Sequence, residues 1–250
     1  MSKYGLDKFY TKPEIVKEIL DGLDLTAYST IIEPSAGNGS FSKQIECTAY
    51  DLEPEDDFII QQDFLELDLS DAVKPLLVIG NPPFGRNGSL ALKFINHAAK
   101  FADTIAFILP KSFKKDFFYY KIPLNFWRSM SIDLEPNSFI FDGDDFDTPC
   151  VFQIYVKRET LRIKPRNIYP TTFSFAKKED ANVAVRRVGV YAGKAFLDTE
   201  KSIESHYFIN VDDPVGFVNR VNELEWEHNN TVGPRSISKP ELINNIEGRL

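Results

Sequence analysis

Residues 76–84 read Leu76-Leu77-Val78-Ile79-Gly80-Asn81-Pro82-Pro83-Phe84. The apolar run Leu76–Gly80 predicts a short strand buried on both faces, as in a parallel sheet covered by helices. Two consecutive prolines cannot continue a central strand, so the chain must break at Asn81. In an open parallel sheet the carboxyl end of such a strand faces the crevice where ligands bind. The residues placed there are an amide, two rigid prolines and an aromatic ring.

Working outward, short apolar runs alternate with helical periodicity from about residue 11 to 157. Ser29–Glu33, Cys47–Leu52 and Phe58–Gln62 read as three strands before Leu76–Gly80. Thr11-Lys12-Pro13-Glu14 has capping-box spacing and opens a helix with Ile15, Val16, Ile19, Leu20 and Leu23 on one face. Gly37-Asn38-Gly39 marks a turn, and Ser40–Ile45 a short helix. Downstream, Ser89 opens a helix with Leu90, Ala91, Phe94, Ile95 and Ala98 inward, and Thr104–Leu109 is a buried strand stopped by Pro110. A loop rich in Phe, Tyr and Lys spans Lys111–Phe126. Phe139–Phe141 and Val151–Val156 read as a closing pair joined by the acidic loop Asp142–Asp147. The alternation predicts an α/β domain with a mainly parallel sheet over residues 1–160.

After residue 160 the texture changes. Val183–Tyr191 and His206–Val211 read as strands. Asp213-Pro214 is a helix start with a favourable first-turn proline, before Val218, Val221 and Leu224. Ser238-Lys239-Pro240-Glu241 repeats the capping-box spacing before Leu242, Ile243 and Ile246. Residues 161–250 are expected to form a small α+β appendage for substrate recognition or partner binding.

Composition narrows the function classes. With 43% hydrophobic and 26% charged residues, the 250-residue chain can bury a full core. No apolar run approaches the ~18 residues of a membrane span, and no signal peptide precedes the first helix; a cytoplasmic setting is expected. Cys47 and Cys150 form no CxxC pair, and His97, His206 and His228 lack metal-ligand spacing, so neither a disulfide nor a metal site is predicted. The net charge is −8, split into −9 over residues 1–160 and +1 over 161–250. Contact with a polyanion therefore falls to the later segment and to selected basic loops.

The strand ends carry the chemistry. An exocyclic amine on an aromatic base is a poor nucleophile because its lone pair is delocalised into the ring. The side-chain amide oxygen of Asn81 and the backbone carbonyl of Pro82 can each accept one amino hydrogen, which localises that lone pair. Preorganised dipoles then meet the charge that develops in the transition state. Pro82 and Pro83 lock the acceptors in place, and Phe84 offers a face for an extruded base. By average composition Asn-Pro-Pro-aromatic arises at about one position in 10⁵. Gly37 and Gly39 permit close backbone approach to a ligand, although Ser42 breaks the dinucleotide fingerprint GxGxxG. Asp51 ends the second strand, where a carboxylate can take ribose hydroxyls. Asp63 and Phe64 end the third, with an acceptor and a ring suited to adenine.

Taken together, these residues resemble the S-adenosylmethionine-dependent amino-methyltransferases that act on adenine in nucleic acids, in the gamma motif order. The likeness covers about residues 7–157 and implies a Rossmann-like methyltransferase sheet with helices on both faces. Asp7-Lys8-Phe9-Tyr10-Thr11-Lys12-Pro13 is similar to the leading motif that contacts the methionine end of the cofactor. Glu33, Pro34, Ser35, Ala36, Gly37 and Gly39 resemble the methionine-binding loop, Asp51 with Leu52 the ribose contact, and Asp63-Phe64 the adenine contact. Asn81 through Phe84 match the catalytic tetrapeptide. The family's further aromatic, against the far face of the target base, is assigned to Phe146, with Phe141 and Phe139 as alternatives.

The implied reaction is methyl transfer to adenine N6, with DNA slightly ahead of RNA. Substrate contacts are expected at Arg86, Lys111, Lys114, Lys115, Arg186 and Arg187. Only about ninety residues follow the catalytic segment, shorter than the target-recognition domain of restriction-linked relatives, so a partner protein for target recognition is one expectation. The rival readings are methylation of a protein glutamine, whose enzymes usually carry Tyr at the position of Phe84, and a silent cofactor-binding subunit.

Overall fold

The computed structural model describes residues 9–164, 168–226 and 235–248. Asp7, Lys8 and His228 lie outside them. The chain divides into two compact units, residues 1–163 and 164–250.

The first unit contains, in chain order, β1 (Tyr10–Thr11), α1 (Pro13–Asp21), β2 (Thr30–Glu33), β3 (Thr48–Asp51), β4 (Ile60–Gln61), β5 (Leu76–Gly80), α2 (Ser89–Ala98), β6 (Thr104–Pro110), α3 (Asp116–Tyr119), β7 (Phe126–Asp133), β8 (Phe139–Phe141), β9 (Asp144–Phe146) and β10 (Cys150–Lys157). Seven of these strands make one sheet in the order β4-β3-β2-β5-β6-β10-β7. From β4 to β6 every pairing is parallel, and β10 runs antiparallel between β6 and β7. The chain builds outward from β2 to β4, then returns to lay β5 on the other side of β2. That reversal makes the β2/β5 junction the switch point of the sheet, where two strands diverge at their carboxyl ends.

Alternation along the central strands explains why both faces are covered. Leu76 and Val78 of β5, with Ile105 and Phe107 of β6, pack against Leu90, Phe94 and Ile95 of α2. Leu77 and Ile79, with Ala106 and Ile108, face the opposite way and pack with Val16 of α1. All five residues of β5 are buried, the pattern its sequence predicts. The fold is therefore the expected α/β sheet with a helix on either face.

Several local expectations are corrected. Thr11 does not cap α1: the N-cap is Lys12, without a side-chain cap bond. Thr11 is instead drawn into strand pairing opposite Phe139. Ser40–Ile45 forms turns, not a helix, because its backbone folds back onto Glu33. The expected strand Phe58–Gln62 shrinks to Ile60–Gln61. The chain between Lys111 and Phe126 holds a 3-10 turn and α3 before β7 begins at Phe126. The partner of the last strand is β7, a strand the sequence reading missed, and not Phe139–Phe141. β8 pairs with β1 and β9 in a separate three-stranded sheet.

The second unit holds β11 (Ser174–Phe175), β12 (Val183–Arg186), β13 (Ala195–Phe196), β14 (His206–Asn210), α4 (Pro214–Glu223) and α5 (Lys239–Glu247). Its antiparallel sheet has the order β11-β14-β12-β13. Phe217 and Val221 of α4 and Leu242 and Ile243 of α5 pack on Val183, Val185 and Ile209. Asp213 caps α4, and Ser238 with Glu241 forms the full capping box at α5, worth about 1 kcal/mol for such a cap. This is the α+β arrangement its sequence predicts.

Candidate active site

A cavity of about 360 Å³ opens at the carboxyl ends of the parallel strands, within the size range of small-molecule sites. It gathers residues from distant points of the sequence. Phe9, Tyr10 and Thr11 contribute from β1, Glu33 through Gly37 from the end of β2, and Asp51 with Leu52 from β3. Asp63 and Phe64 follow β4, and Asn81 through Phe84 follow β5. Pro13 and Gly39, also expected at the cofactor, are not in the lining.

The loop after β2 is shaped by two carboxylates. Glu33 is 1% exposed, and its oxygens accept from Phe41 N at 3.3 Å and Ser42 N at 2.8 Å. Burial pushes the Glu33 carboxyl up to about 7, although those N–H donors oppose the shift. Asp51 Oδ2 accepts from Gly37 N at 2.7 Å, and its Oδ1 from Glu53 N at 2.8 Å. Gly37 sits at φ +56, and a Cβ there would lie 3.3 Å from the Tyr10 ring. The Tyr10 hydroxyl in turn donates to Glu55. Burial and Glu55 hold the Tyr10 phenol well above its ordinary range.

Asn81 is oriented by β1. Its Nδ2 lies 3.2 Å from Thr11 Oγ1 and 3.5 Å from the Phe9 carbonyl. A carbonyl only accepts, so the amide nitrogen must be the atom that faces it. The amide oxygen is thereby turned away from β1. Among the described residues no hydrogen bond reaches Asn81 Oδ1 or the Pro82 carbonyl, while the Asn81 carbonyl accepts from Ser35 Oγ at 3.3 Å. The Phe84 carbonyl receives the Leu90 and Ala91 amides at 3.0 and 3.3 Å, tying the tetrapeptide to the start of α2. Gly85, at φ +65, lets that turn close: a Cβ would stand 2.7 Å from the Leu90 Cβ.

Other expected residues lie elsewhere. Phe64 is 1% exposed and stacks on Phe94 with centroids 5.5 Å apart, so much of its ring is committed to the core. Phe146 is outside the cavity lining and stacks on Phe9 at 4.7 Å, whereas Phe139 is in the lining. Arg86 is exposed beside the tetrapeptide. Lys111 and Lys114 both pair with Asp133 at 2.9 Å. Asp133 is pushed up by burial, yet the two lysines win and hold it below the usual carboxylate range. Arg186 and Arg187 belong to the second unit, where their guanidinium groups donate to the Val188 and Glu204 carbonyls.

Sequence reasoning missed Thr148, Gln62 and Phe94 in the lining, and Glu55 beneath Tyr10. Thr148 directly follows the acidic stretch Asp142–Asp147, where no periodicity marks it. Among the described residues no group of three or more His, Cys, Asp or Glu side chains is placed to hold a metal ion, and no helix is long and apolar enough to cross a membrane. Cys47 and Cys150 are free.

Comparison with known proteins agrees with this architecture. Residues 26–124, which hold β2 through α3 and the whole Asn81–Phe84 turn, match the family model of the EDM2 methyltransferase-like domain. No curated protein sequence matches the chain. Among solved structures, a Vibrio vulnificus protein described as the modification subunit of a type I restriction enzyme aligns over 94% of this chain and 60% of its own, at 11% identity and TM-score 0.46. This chain therefore spans about 60% of that protein's length. The 23S rRNA methyltransferase ErmE aligns over 63% of this chain and 73% of its own, at 12% identity and TM-score 0.44. A Pyrococcus horikoshii protein described as an RNA methyltransferase aligns over 58% and 81%, at 14% identity and TM-score 0.42. The matched family model is that of a methyltransferase-like domain, over residues 26–124.

Proposed function

We propose that this chain is an S-adenosylmethionine-dependent methyltransferase acting on the exocyclic N6 of adenine in nucleic acid, DNA ahead of RNA. Residues 1–160 form its catalytic domain, and residues 161–250 its recognition or partner-binding appendage. The observation that carries the reading is the Asn81 amide, clamped through Nδ2 by β1 so that its oxygen is left as an unused acceptor beside the Pro82 carbonyl.

The cavity suits the cofactor. Asp51 and Asp63 supply negative charge around a site meant for a sulfonium cation, Glu33 adds to it only as it ionises near pH 7, and the Gly37 backbone allows close approach. When bound, S-adenosylmethionine supplies an electrophilic methyl group. Asp51 and Leu52 would hold its ribose, Asp63 and Phe64 its adenine, and Phe9, Tyr10, Thr11 and the Glu33–Gly37 loop its methionine end.

The protein's own part is mostly positioning. Asn81 Oδ1 and the Pro82 carbonyl each accept one hydrogen of the target amine, draw its nitrogen toward tetrahedral geometry and expose the lone pair. Pro82 and Pro83 fix the backbone, so the acceptors pay no reorganisation as charge develops. Phe84 carries the ring of the extruded base. The amine releases its proton readily once methylated, so no strong base is required.

Asn81→Ala is expected to lower turnover by at least about 10²-fold while the affinity for S-adenosylmethionine, measured by calorimetry, changes little. Cofactor affinity falling as far as turnover would place Asn81 in cofactor binding and remove the acceptor role.

A further inference from the structure

The second unit carries a cationic, aromatic tip that neither the fold nor the cavity accounts for. From Ala181 to Leu197 the chain has three basic residues, Arg186, Arg187 and Lys194, and no acidic one. A fourth cation joins them in space: Gly189 N donates to the Arg235 carbonyl at 2.7 Å, and Arg235 Nη1 reaches the Val190 carbonyl at 3.4 Å. Among the described residues none of the four makes an ion pair. The acids in the following segment are taken by other lysines, Asp198 by Lys201 at 2.6 Å and Glu200 by Lys178 at 2.8 Å. Among the described residues of its unit, the positive charge of the tip is therefore unmatched.

At the apex stand Val190 and Tyr191, 75% and 68% exposed, with Lys194 Nζ 5.9 Å from the Tyr191 ring centroid. The loop beneath them is stiff. Ala192 N donates to Gly189 O, Gly193 N to Arg186 O and Lys194 N to Tyr191 O. Gly193, at φ +97, lies against Trp226 so closely that a Cβ would stand 2.4 Å from its Nε1. Asn222 grips both the amide and the carbonyl of Ala195. An exposed ring on a rigid loop, with Lys194 against it and Arg186 and Arg235 bonded to the backbone of the same loop, gives up little entropy on binding.

We infer that the loop 186–194, with Arg235, is a nucleic-acid contact in which Tyr191 stacks an unpaired base and the surrounding cations take the backbone phosphates. The inference rests on the proposed function and adds to it the surface that holds the substrate strand. Cations beside an aromatic ring on a chain of net charge −8 fit single-stranded segments better than duplex, since stacking needs an accessible base face while duplex offers only phosphates and groove edges.

The test uses the full chain and fluorescence anisotropy with labelled single-stranded DNA, single-stranded RNA and duplex DNA across a salt series. Tyr191 and Lys194 are both exposed, so Tyr191→Ala and Lys194→Glu leave the core intact. Tyr191→Ala is expected to weaken single-strand binding by about tenfold and duplex binding far less. Lys194→Glu should weaken both and reduce the slope of log affinity against log salt by about one or more. For methyl transfer, KM rises and kcat holds. Unchanged binding in both variants, with the wild type still binding nucleic acid, overturns the inference and leaves the proposed function standing. Equal losses on duplex and single strand with Tyr191→Ala overturn the stacking role of Tyr191. A wild-type chain that binds none of the three polymers overturns both the inference and the function beneath it.

Discussion

The two units handle positive charge in opposite ways. In the first, cations near the site are matched by acids: Lys12 with Asp145 at 2.6 Å, Lys111 and Lys114 with Asp133, and Lys43 with Asp56 at 3.3 Å. Its cavity is lined by Glu33, Asp51 and Asp63, which suit the small cationic ligand proposed for it. In the second, Arg186, Arg187, Lys194 and Arg235 make no ion pair among the described residues, and Lys194 lies against the exposed Tyr191. The difference separates two tasks that one surface performs badly. On the proposed function, a site that attracts a sulfonium would repel a phosphate backbone, so a polyanion would be met by the other unit. Arg86, exposed beside Asn81–Phe84, is an expected substrate cation of the first unit to which no acid is paired among the described residues.

The largest effect that sharpens this contrast concerns Glu33, the buried acid at the base of the cavity. Its carboxyl titrates at about 7 in the folded protein against 4.5 ordinarily. Between those values the folded state holds a proton that the unfolded chain has released. The stability that Glu33 itself contributes is therefore fully present below about 4.5 and is lost as pH rises through about 7, by about 3 kcal/mol if burial acts in full. Thermal melts over pH 4 to 8 should show that fall, and Glu33→Gln should flatten it. An unchanged pH profile in Glu33→Gln would mean that the carboxylate is not held in the cavity floor as described.

Next comes Asp51. Asp51→Asn presents an amide N–H to one of two backbone donors, Gly37 N or Glu53 N, and loosens the loop that shapes the cavity. With charge-assisted bonds worth about 1.5–3 kcal/mol, S-adenosylmethionine affinity should drop by roughly 10- to 100-fold. Oligonucleotide binding through the second unit should not move. A parallel loss of both would dissolve the division between the two units.

The smallest effect falls on Asp133. Asp133→Asn frees Lys111 and Lys114, and oligonucleotide affinity measured at low salt should rise by a few-fold with a steeper salt dependence. No change would show that those lysines sit away from the path of the strand.

How far the sequence was legible follows the same physics. β5, α2 and α5 were read from the chain because each is settled locally: an unbroken apolar run ended by prolines, a helical face, a capping box. The residues around the cavity were legible for a related reason, since ligand groups of a parallel sheet sit at strand ends and those ends are marked by Pro34, Asp51, Asp63 and Pro82. What failed depended on distant partners. Thr11 has the chemistry of a cap, but pairing with Phe139 and the contact to Asn81 claim it. β7 is an edge strand whose exposed residues include Ser129, Ser131 and Asp133, so no buried run announces it. With β7 unseen, β8 was matched to β10 because they are neighbours in sequence. Phe146, Phe141 and Phe139 lie within eight positions, and only the fold distinguishes the ring in the cavity wall from the two in contact with the Phe9 ring.

The central claim is the chemistry at Asn81, and its most direct measurement is the identity of the methylated product. Wild type and Asn81→Ala would be incubated with methyl-labelled S-adenosylmethionine and matched DNA and RNA pools, single- and double-stranded, and the digested nucleosides separated. The account predicts label in N6-methylated adenine nucleoside for the wild type and its loss in Asn81→Ala. Label on cytosine, on a protein glutamine, or in no pool while cofactor still binds would contradict it.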